Sequence, residues 1–274
     1  MVKKINKQAV MVIGHGDNAD VLQETINVLD NKNIDFFIHW DKKFKKPNLL
    51  SHDSHIYFIK SLNVGWGTDS LMIVELKLLS AVNKANRYKM AHLISSADMP
   101  LMDSKYFIDY FDGQKSYLGF SDDNTKKFNK RLSYYWPKFS LRNKRILTKL
   151  ILAYNRLFHI NRLKNKDITL KKGPQWFSIN TNLIPEILDF DKNPFFNTYC
   201  VDEIFIQTIL SRFSPKKIVE NDNVQAARYI DWNRGKPYTF SLKDVDELKK
   251  VKNTNFAFTR KVCDPTVVKK VFNY

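Results

Sequence analysis

From residue 8 the chain alternates short unbroken apolar runs with stretches in which apolar positions recur every three or four residues. Residues 8–14 form an apolar run ending in Gly14-His15-Gly16, residues 20–29 have helical spacing, and residues 34–39 form a second apolar run stopped by Trp40, Asp41 and Lys42. The pattern predicts strand, helix, strand. Residues 55–59 predict a third strand. Residues 69–85 predict a long amphipathic helix with Leu71, Val74, Leu78 and Ala81 on one face, and residues 90–95 a fourth strand running into Ser96-Ala97-Asp98-Met99-Pro100. This order predicts an α/β fold with a largely parallel central sheet flanked by helices. Ligands of such sheets bind beyond the carboxyl ends of the strands, so His15, Asp17, Asp41, Trp66 and Asp98 become candidate site residues.

The alternation stops between residues 126 and 172. Leu147, Leu150, Ile151, Tyr154 and Phe158 stand at helical spacing there, among Arg145, Lys149, Arg156 and Arg162, with Tyr134, Tyr135 and Trp136 just before them. This is the pattern of a basic amphipathic helix, and two readings of it stay open: a surface helix packing an apolar stripe on the core, or a helix that docks on a membrane or an acceptor. Regular structure resumes with a strand at 175–179, helices at 183–188 and 201–213, a strand at 228–230 and a last helix after Pro265. No linker rich in Gly, Ser or Pro separates the two halves, so one domain over residues 1–274 is expected, carrying residues 126–172 as a basic helical insertion.

Charge sharpens this picture. The 274 residues carry 45 Lys+Arg against 28 Asp+Glu, a net of +17, yet residues 126–172 alone hold 15 bases and one acid, Asp167. A patch of this sign attracts polyanions, whether nucleic acid, an anionic membrane surface or a phosphorylated substrate. With 43% hydrophobic and 14% aromatic residues the chain can bury a sizeable core, and no apolar run nears the roughly 18 residues of a membrane-spanning helix. The opening Met1-Val-Lys-Lys-Ile-Asn-Lys-Gln8 runs directly into a short apolar segment without a small-residue cleavage site, so an intracellular protein is expected. Cys200 and Cys263 are too few for a disulfide framework or a four-cysteine zinc site.

Phosphate-loop, dinucleotide-binding, nucleophile-elbow and His-Glu-x-x-His signatures are all missing. Two Asp-x-Asp triplets, at 189–191 and 244–246, have the form of a metal-diphosphate site, but they flank helices rather than follow the strand that ends near Asp98 and read as surface carboxylates.

Seven motifs carry a resemblance: Ile38-His-Trp-Asp41, Val64-Gly-Trp-Gly-Thr-Asp-Ser70, Leu93-Ile-Ser-Ser-Ala-Asp-Met-Pro-Leu101, Lys172-Gly-Pro-Gln-Trp-Phe-Ser178, Val201-Asp-Glu-Ile-Phe205, Arg228-Tyr-Ile-Asp-Trp232 and Phe258-Thr-Arg-Lys261. In this order they resemble the core-2/I-branching β-1,6-N-acetylglucosaminyltransferase family, which includes the peptide O-xylosyltransferases, with residues 102–170 unmatched. The resemblance implies a GT-A-like nucleotide-sugar-binding fold and an inverting, metal-independent transfer from a UDP-sugar, GlcNAc foremost. By the same resemblance Glu203 is the catalytic base, with Asp202 its near rival. Arg260 and Lys261, with Arg234 or Lys236, are the cations that stabilise the leaving diphosphate in place of a metal. His15, Asp41, Gly65 and Trp66 fall on the donor side, and Asp98 and Trp176 on the acceptor side, with Trp232 a further sugar-stacking candidate. Inversion is a direct displacement, so one carboxylate and one positive cluster are the chemistry it needs.

The expected partners are a UDP-sugar, a glycan acceptor, with a lipid-diphosphate-linked one among the candidates, and an anionic membrane surface met by residues 126–172. Such a protein would be cytoplasmic and peripheral at the inner face of a cell membrane, building capsule, exopolysaccharide or another surface glycan as a bacterial-type family member. A basic nucleic-acid-binding protein and a catalytically inactive glycan-binding relative are the alternatives.

Overall fold

The computed structural model describes residues 7–121, 125–164, 168–216 and 221–274, and only the backbone of residues 125–127. The leading residues 1–6, the side chains of Lys126 and Lys127 that open the basic insertion, and its one acid, Asp167, therefore lie outside the described residues.

The first half follows the apolar pattern closely. It comprises β1 (Gln8–Gly14), α1 (Asp20–Leu29), β2 (Ile34–Trp40), β3 (Ile56–Phe58), α2 (Ser70–Ala85), β4 (Met90–Ser95), β5 (Asp98–Pro100) and α3 (Ser104–Tyr110). The insertion holds α4 (Thr125–Ser133) and α5 (Arg145–Leu157). Thereafter come β6 (Ser178–Asn180), α6 (Ile184–Asp189), α7 (Phe205–Ile209), α8 (Asp222–Gln225), β7 (Arg228–Ile230), α9 (Val245–Lys250), β8 (Phe258–Arg260) and α10 (Pro265–Phe272).

The main sheet has the order β3-β2-β1-β4-β6, its first four strands parallel and β6 an antiparallel edge. Strands β1, β2 and β4 are buried along their whole length, because helices cover both faces, and this is why they read as continuous apolar runs. On one face α1 and α3 bring Leu22, Ile26, Phe107 and Phe111 onto Val10, Val12, Phe36 and Ile38. On the other, α2 brings Leu78, Leu79 and Val82 onto Met11 and Leu93, backed by Ile184 and Phe205. Full burial of a side chain such as Leu78 contributes about 1.5–3 kcal/mol. This mixed α/β architecture with a mainly parallel sheet is GT-A-like.

The chain winds from β1 through β2 to β3 on one side and then returns through α2 to β4 on the other side of β1. That reversal opens a crevice beyond the carboxyl ends of β1 and β4. Gly14 closes β1 where a Cβ would stand 2.1 Å from the Trp40 ring, so only glycine lets β2 pack this tightly at the rim. A second sheet, ordered β5-β8-β7, pairs Asp98 with Arg260 in antiparallel register and carries the segment after β8 to the same crevice.

Two expectations change. Residues 201–213 do not form one helix: a 3-10 turn at Val201–Glu203 precedes α7, and a second at Ser211–Phe213 follows it. Cys200 takes a left-handed conformation with φ 50°, and Ile204 leaves the helical region with φ −132°, so the Asp202–Glu203 pair stands on its own turn. The strand expected at 175–179 shortens to β6, because Gln175 and Trp176 diverge toward the crevice.

Candidate active site

The crevice holds a cleft of about 450 Å³ whose lining includes His15, Trp66, Trp176, Glu203, Arg260 and Lys261. Six of the residues singled out from the sequence thus come together, from the end of β1, the turn before α2, the segment before β6, the turn before α7 and the end of β8. Arg142, Lys236, Trp232 and Asp202 line it as well.

The cations dominate its electrostatics. Arg260 lies over Trp176, its guanidinium carbon 4.1 Å from the ring centroid, and its Nε is 3.4 Å from Asp98 Oδ1. The Lys261 backbone is held at both ends, its N–H donating to the Tyr238 carbonyl and its carbonyl accepting from the Phe240 N–H. Burial lowers the Lys261 pKa, and the neighbouring Arg260 and Arg142 charges lower it further. Among the described residues Lys261, Lys236 and Arg142 have no carboxylate ion-pair partner, so the cleft carries uncompensated positive charge of the kind a diphosphate satisfies. His15 is lowered by burial; Asp41 opposes this, while Lys261, Arg260 and Lys43 add to it. A neutral imidazole at the end of β1 can hydrogen-bond a base or ribose.

Glu203 is partly exposed, and its Oε2 accepts a 2.6 Å hydrogen bond from Arg131 Nη1 on α4. It lines the cationic cleft on one side and, on the other, a wider polar cavity of about 710 Å³ bounded by Lys172, Asp222, Asp231 and Asn233. Gly173 holds the backbone of the Glu203 turn: its N–H donates to the Glu203 main-chain carbonyl, and a Cβ on it would fall 2.0 Å from the Gly119 carbonyl. Asp202 is buried beside Glu203, and burial, reinforced by the Glu203 charge, pushes its pKa up to about 7. The fully buried Glu75 on α2, which accepts from Gln175 Nε2, is raised well above the usual carboxylate range by burial and then by Asp202.

Five expected site residues stand elsewhere, Asp17 among them in a separate hollow with Asn18, Asp20 and Asn48. Asp41 is buried beneath the rim, where Oδ1 accepts from the Lys43 and Val64 N–H groups and Oδ2 pairs with Lys43 Nζ at 3.0 Å, so it shapes the loop instead of lining the cleft. Gly65 belongs to the turn that presents Trp66, its N–H donating to Ser70 Oγ. Asp98, 1% exposed, accepts from the Ser95 N–H and hydroxyl and stands beside Arg260, so it holds a cation in place and has no surface for an acceptor. It does not cap the following helix; Asp103 does, accepting from the Tyr106 N–H. Arg234 is drawn out of the cleft by Asp231, Asp244 and Glu247, and Lys236 takes the position open to a ligand. Trp176 is buried with Arg260 covering its ring, whereas Trp232 is 55% exposed and lines both cavities. In the second Asp-x-Asp triplet, Asp244 is engaged by Ser241, Tyr238 and Arg234. Arg131 and Arg142 were visible in the sequence only as part of a basic run, since their approach to the cleft depends on how α4 and α5 fold back.

A GT-A-like sheet whose switch point opens on fixed cations beside a carboxylate is the construction of a glycosyltransferase. The chain belongs to the Core-2/I-branching enzyme family, whose model matches residues 9–252. It is therefore a member of a glycosyltransferase family, with a nucleotide-sugar donor and a glycan acceptor. No curated protein sequence matches the chain.

Proposed function

We propose that this protein is an inverting, metal-independent transferase that moves a sugar from a UDP-sugar to a glycan hydroxyl, with Glu203 as the base. The observation that carries this reading is the position of Glu203 between a cation-lined cleft and a polar open cavity. A donor diphosphate in the first and an acceptor in the second would meet at that carboxylate. The acceptor oxygen attacks the anomeric carbon from the face opposite UDP, its proton passes to Glu203, and the bond to the β-phosphate oxygen breaks with its electron pair leaving on UDP. Lys261, Arg260, Lys236 and Arg142 surround the space where that negative charge develops, and fixed cations in a shielded cleft do the work of a bound metal. His15 and Trp66 border the same space and serve the nucleoside end, while Trp232 offers an exposed aromatic face to the acceptor.

GlcNAc as the transferred sugar, and a surface glycan such as capsule or exopolysaccharide on a lipid-diphosphate carrier as the acceptor, rest on the family resemblance and on the basic insertion. The test is Glu203→Gln assayed for transfer with a panel of UDP-sugars. Turnover should fall by about 10²–10⁴-fold, the usual worth of a positioned base, while UDP affinity stays within about twofold. A wild-type protein that binds glycan yet turns over no donor would make it an inactive glycan-binding relative, and an active Glu203→Gln would remove Glu203 from the base role.

A further inference from the structure

We infer that α5 is a membrane-docking element: it lies in the headgroup plane of an anionic bilayer with the ridge Ile146, Leu150, Tyr154 and Leu157 turned into the lipid. A helix that merely covers a core points its apolar stripe inward. Here the ridge is turned to solvent, with Ile146 78%, Leu150 60%, Tyr154 57% and Leu157 73% exposed, and Phe158 prolongs it at 59%. No apolar side chain of α5 belongs to the hydrophobic clusters among the described residues. The helix is held to the body by a polar contact instead. Asn155, fully buried, accepts from the Tyr135 N–H at 2.7 Å and donates to the Tyr135 carbonyl at 3.1 Å. A shallow apolar groove of about 360 Å³ between Tyr135, Pro137 and the ridge residues Leu150 and Tyr154 adds space for part of an acyl chain.

Charge decides the occupant. Lys138, Arg142, Lys144, Arg145, Lys149 and Arg156 surround the ridge, all exposed, with no acid between residues 138 and 156. A second copy of the chain would set these six cations against six more. A nucleic acid would take the cations and leave the ridge in water. An anionic lipid surface satisfies both, because basic side chains meet the headgroups while the apolar ridge enters the acyl boundary. Arg142 also lines the cationic cleft, so the docked protein would hold the rim of its active site at the lipid surface.

This inference does not depend on the proposed transfer reaction, and its test contains no sugar donor. The full-length protein is floated with vesicles of phosphatidylglycerol and phosphatidylcholine, and with phosphatidylcholine alone, over a range of salt. The wild type should float with the anionic vesicles and lose binding as salt rises. The triple variant Ile146→Ser, Leu150→Ser, Leu157→Ser, at exposed positions that leave the core intact, should partition at least about tenfold more weakly and melt within a few degrees of the wild type. Lys149→Glu with Arg156→Glu should erase the preference for anionic vesicles. The inference fails if the wild type ignores anionic vesicles or if the triple variant floats as well as the wild type. It fails equally if sedimentation shows the ridge joining two copies of the chain, or if duplex DNA binding accounts for the charge dependence with the ridge irrelevant.

Discussion

Arg131 on α4 reaches Glu203 at 2.6 Å and so ties the carboxylate at the junction of the two cavities to the start of the basic insertion. Burial works against the Arg131 cation, but the Glu203 charge and hydrogen bond outweigh it, and its pKa is raised. The pair orients the carboxylate by fixing one of its oxygens, and in the proposed reaction the acceptor hydroxyl would meet the other. Arg131→Gln should lower kcat by roughly 10–100-fold, the worth of one charge-assisted hydrogen bond, with UDP affinity within about twofold. Steady-state transfer kinetics beside a UDP titration check this, and an equal loss in both would show that Arg131 acts on the donor instead.

Asp202 gives the stability a pH dependence of known sign. Its pKa is raised in the folded protein from 3.8 to about 7, so between those values the folded state holds a proton that the unfolded state has released. Folding is therefore stabilised by this group at the acidic end, and the contribution is lost as pH rises through about 7. Glu75 is shifted in the same direction by burial beside Asp202. Asp202→Asn, which mimics the protonated side chain, should raise Tm relative to the wild type near pH 8 and have little effect near pH 4. Thermal melts of both proteins across that window measure it, and a difference that grows toward acid would reverse the sign.

Asp98 and Arg260 are paired within a buried strand register, and Arg260 also sits over the Trp176 ring. Removing one partner of such a pair leaves the other charge buried and uncompensated. Asp98→Asn should destabilise the protein by about 3 kcal/mol and weaken UDP binding through a misplaced Arg260. Chemical denaturation and calorimetry test the two effects separately. Weaker acceptor affinity with unchanged stability would return Asp98 to the acceptor role that the family resemblance implies.

The main sheet was legible because its strands are buried on both faces and its helices keep unbroken periods. The bounds of β1, α1 and β4 follow directly from where apolar runs meet Gly14, Asp20, Asp30 or Ser96. The strands β5 and β8 escaped, since they are too short to show a period and exist by pairing residues 98–100 with 258–260. The same gap separates expectation from outcome at the site. His15 and Trp66 follow β1 and precede α2, so local order already places them near the crevice, whereas Glu203, Arg260 and Lys261 were singled out by the resemblance of their motifs. Whether Arg234 or Lys236 faces the cleft is settled by the distant carboxylates Asp244 and Glu247, and the burial of Asp98 by a strand some 160 residues away along the chain, which no local pattern encodes.

The most direct test of the cation-for-metal account is calorimetric titration of the protein with UDP in the presence of EDTA. The account predicts binding without metal, weakened at least about tenfold by Lys261→Ala or Lys236→Ala and within about twofold of wild type in Arg234→Ala. UDP binding that appears only after Mn²⁺ or Mg²⁺ is restored, and that ignores Lys261→Ala, would contradict it.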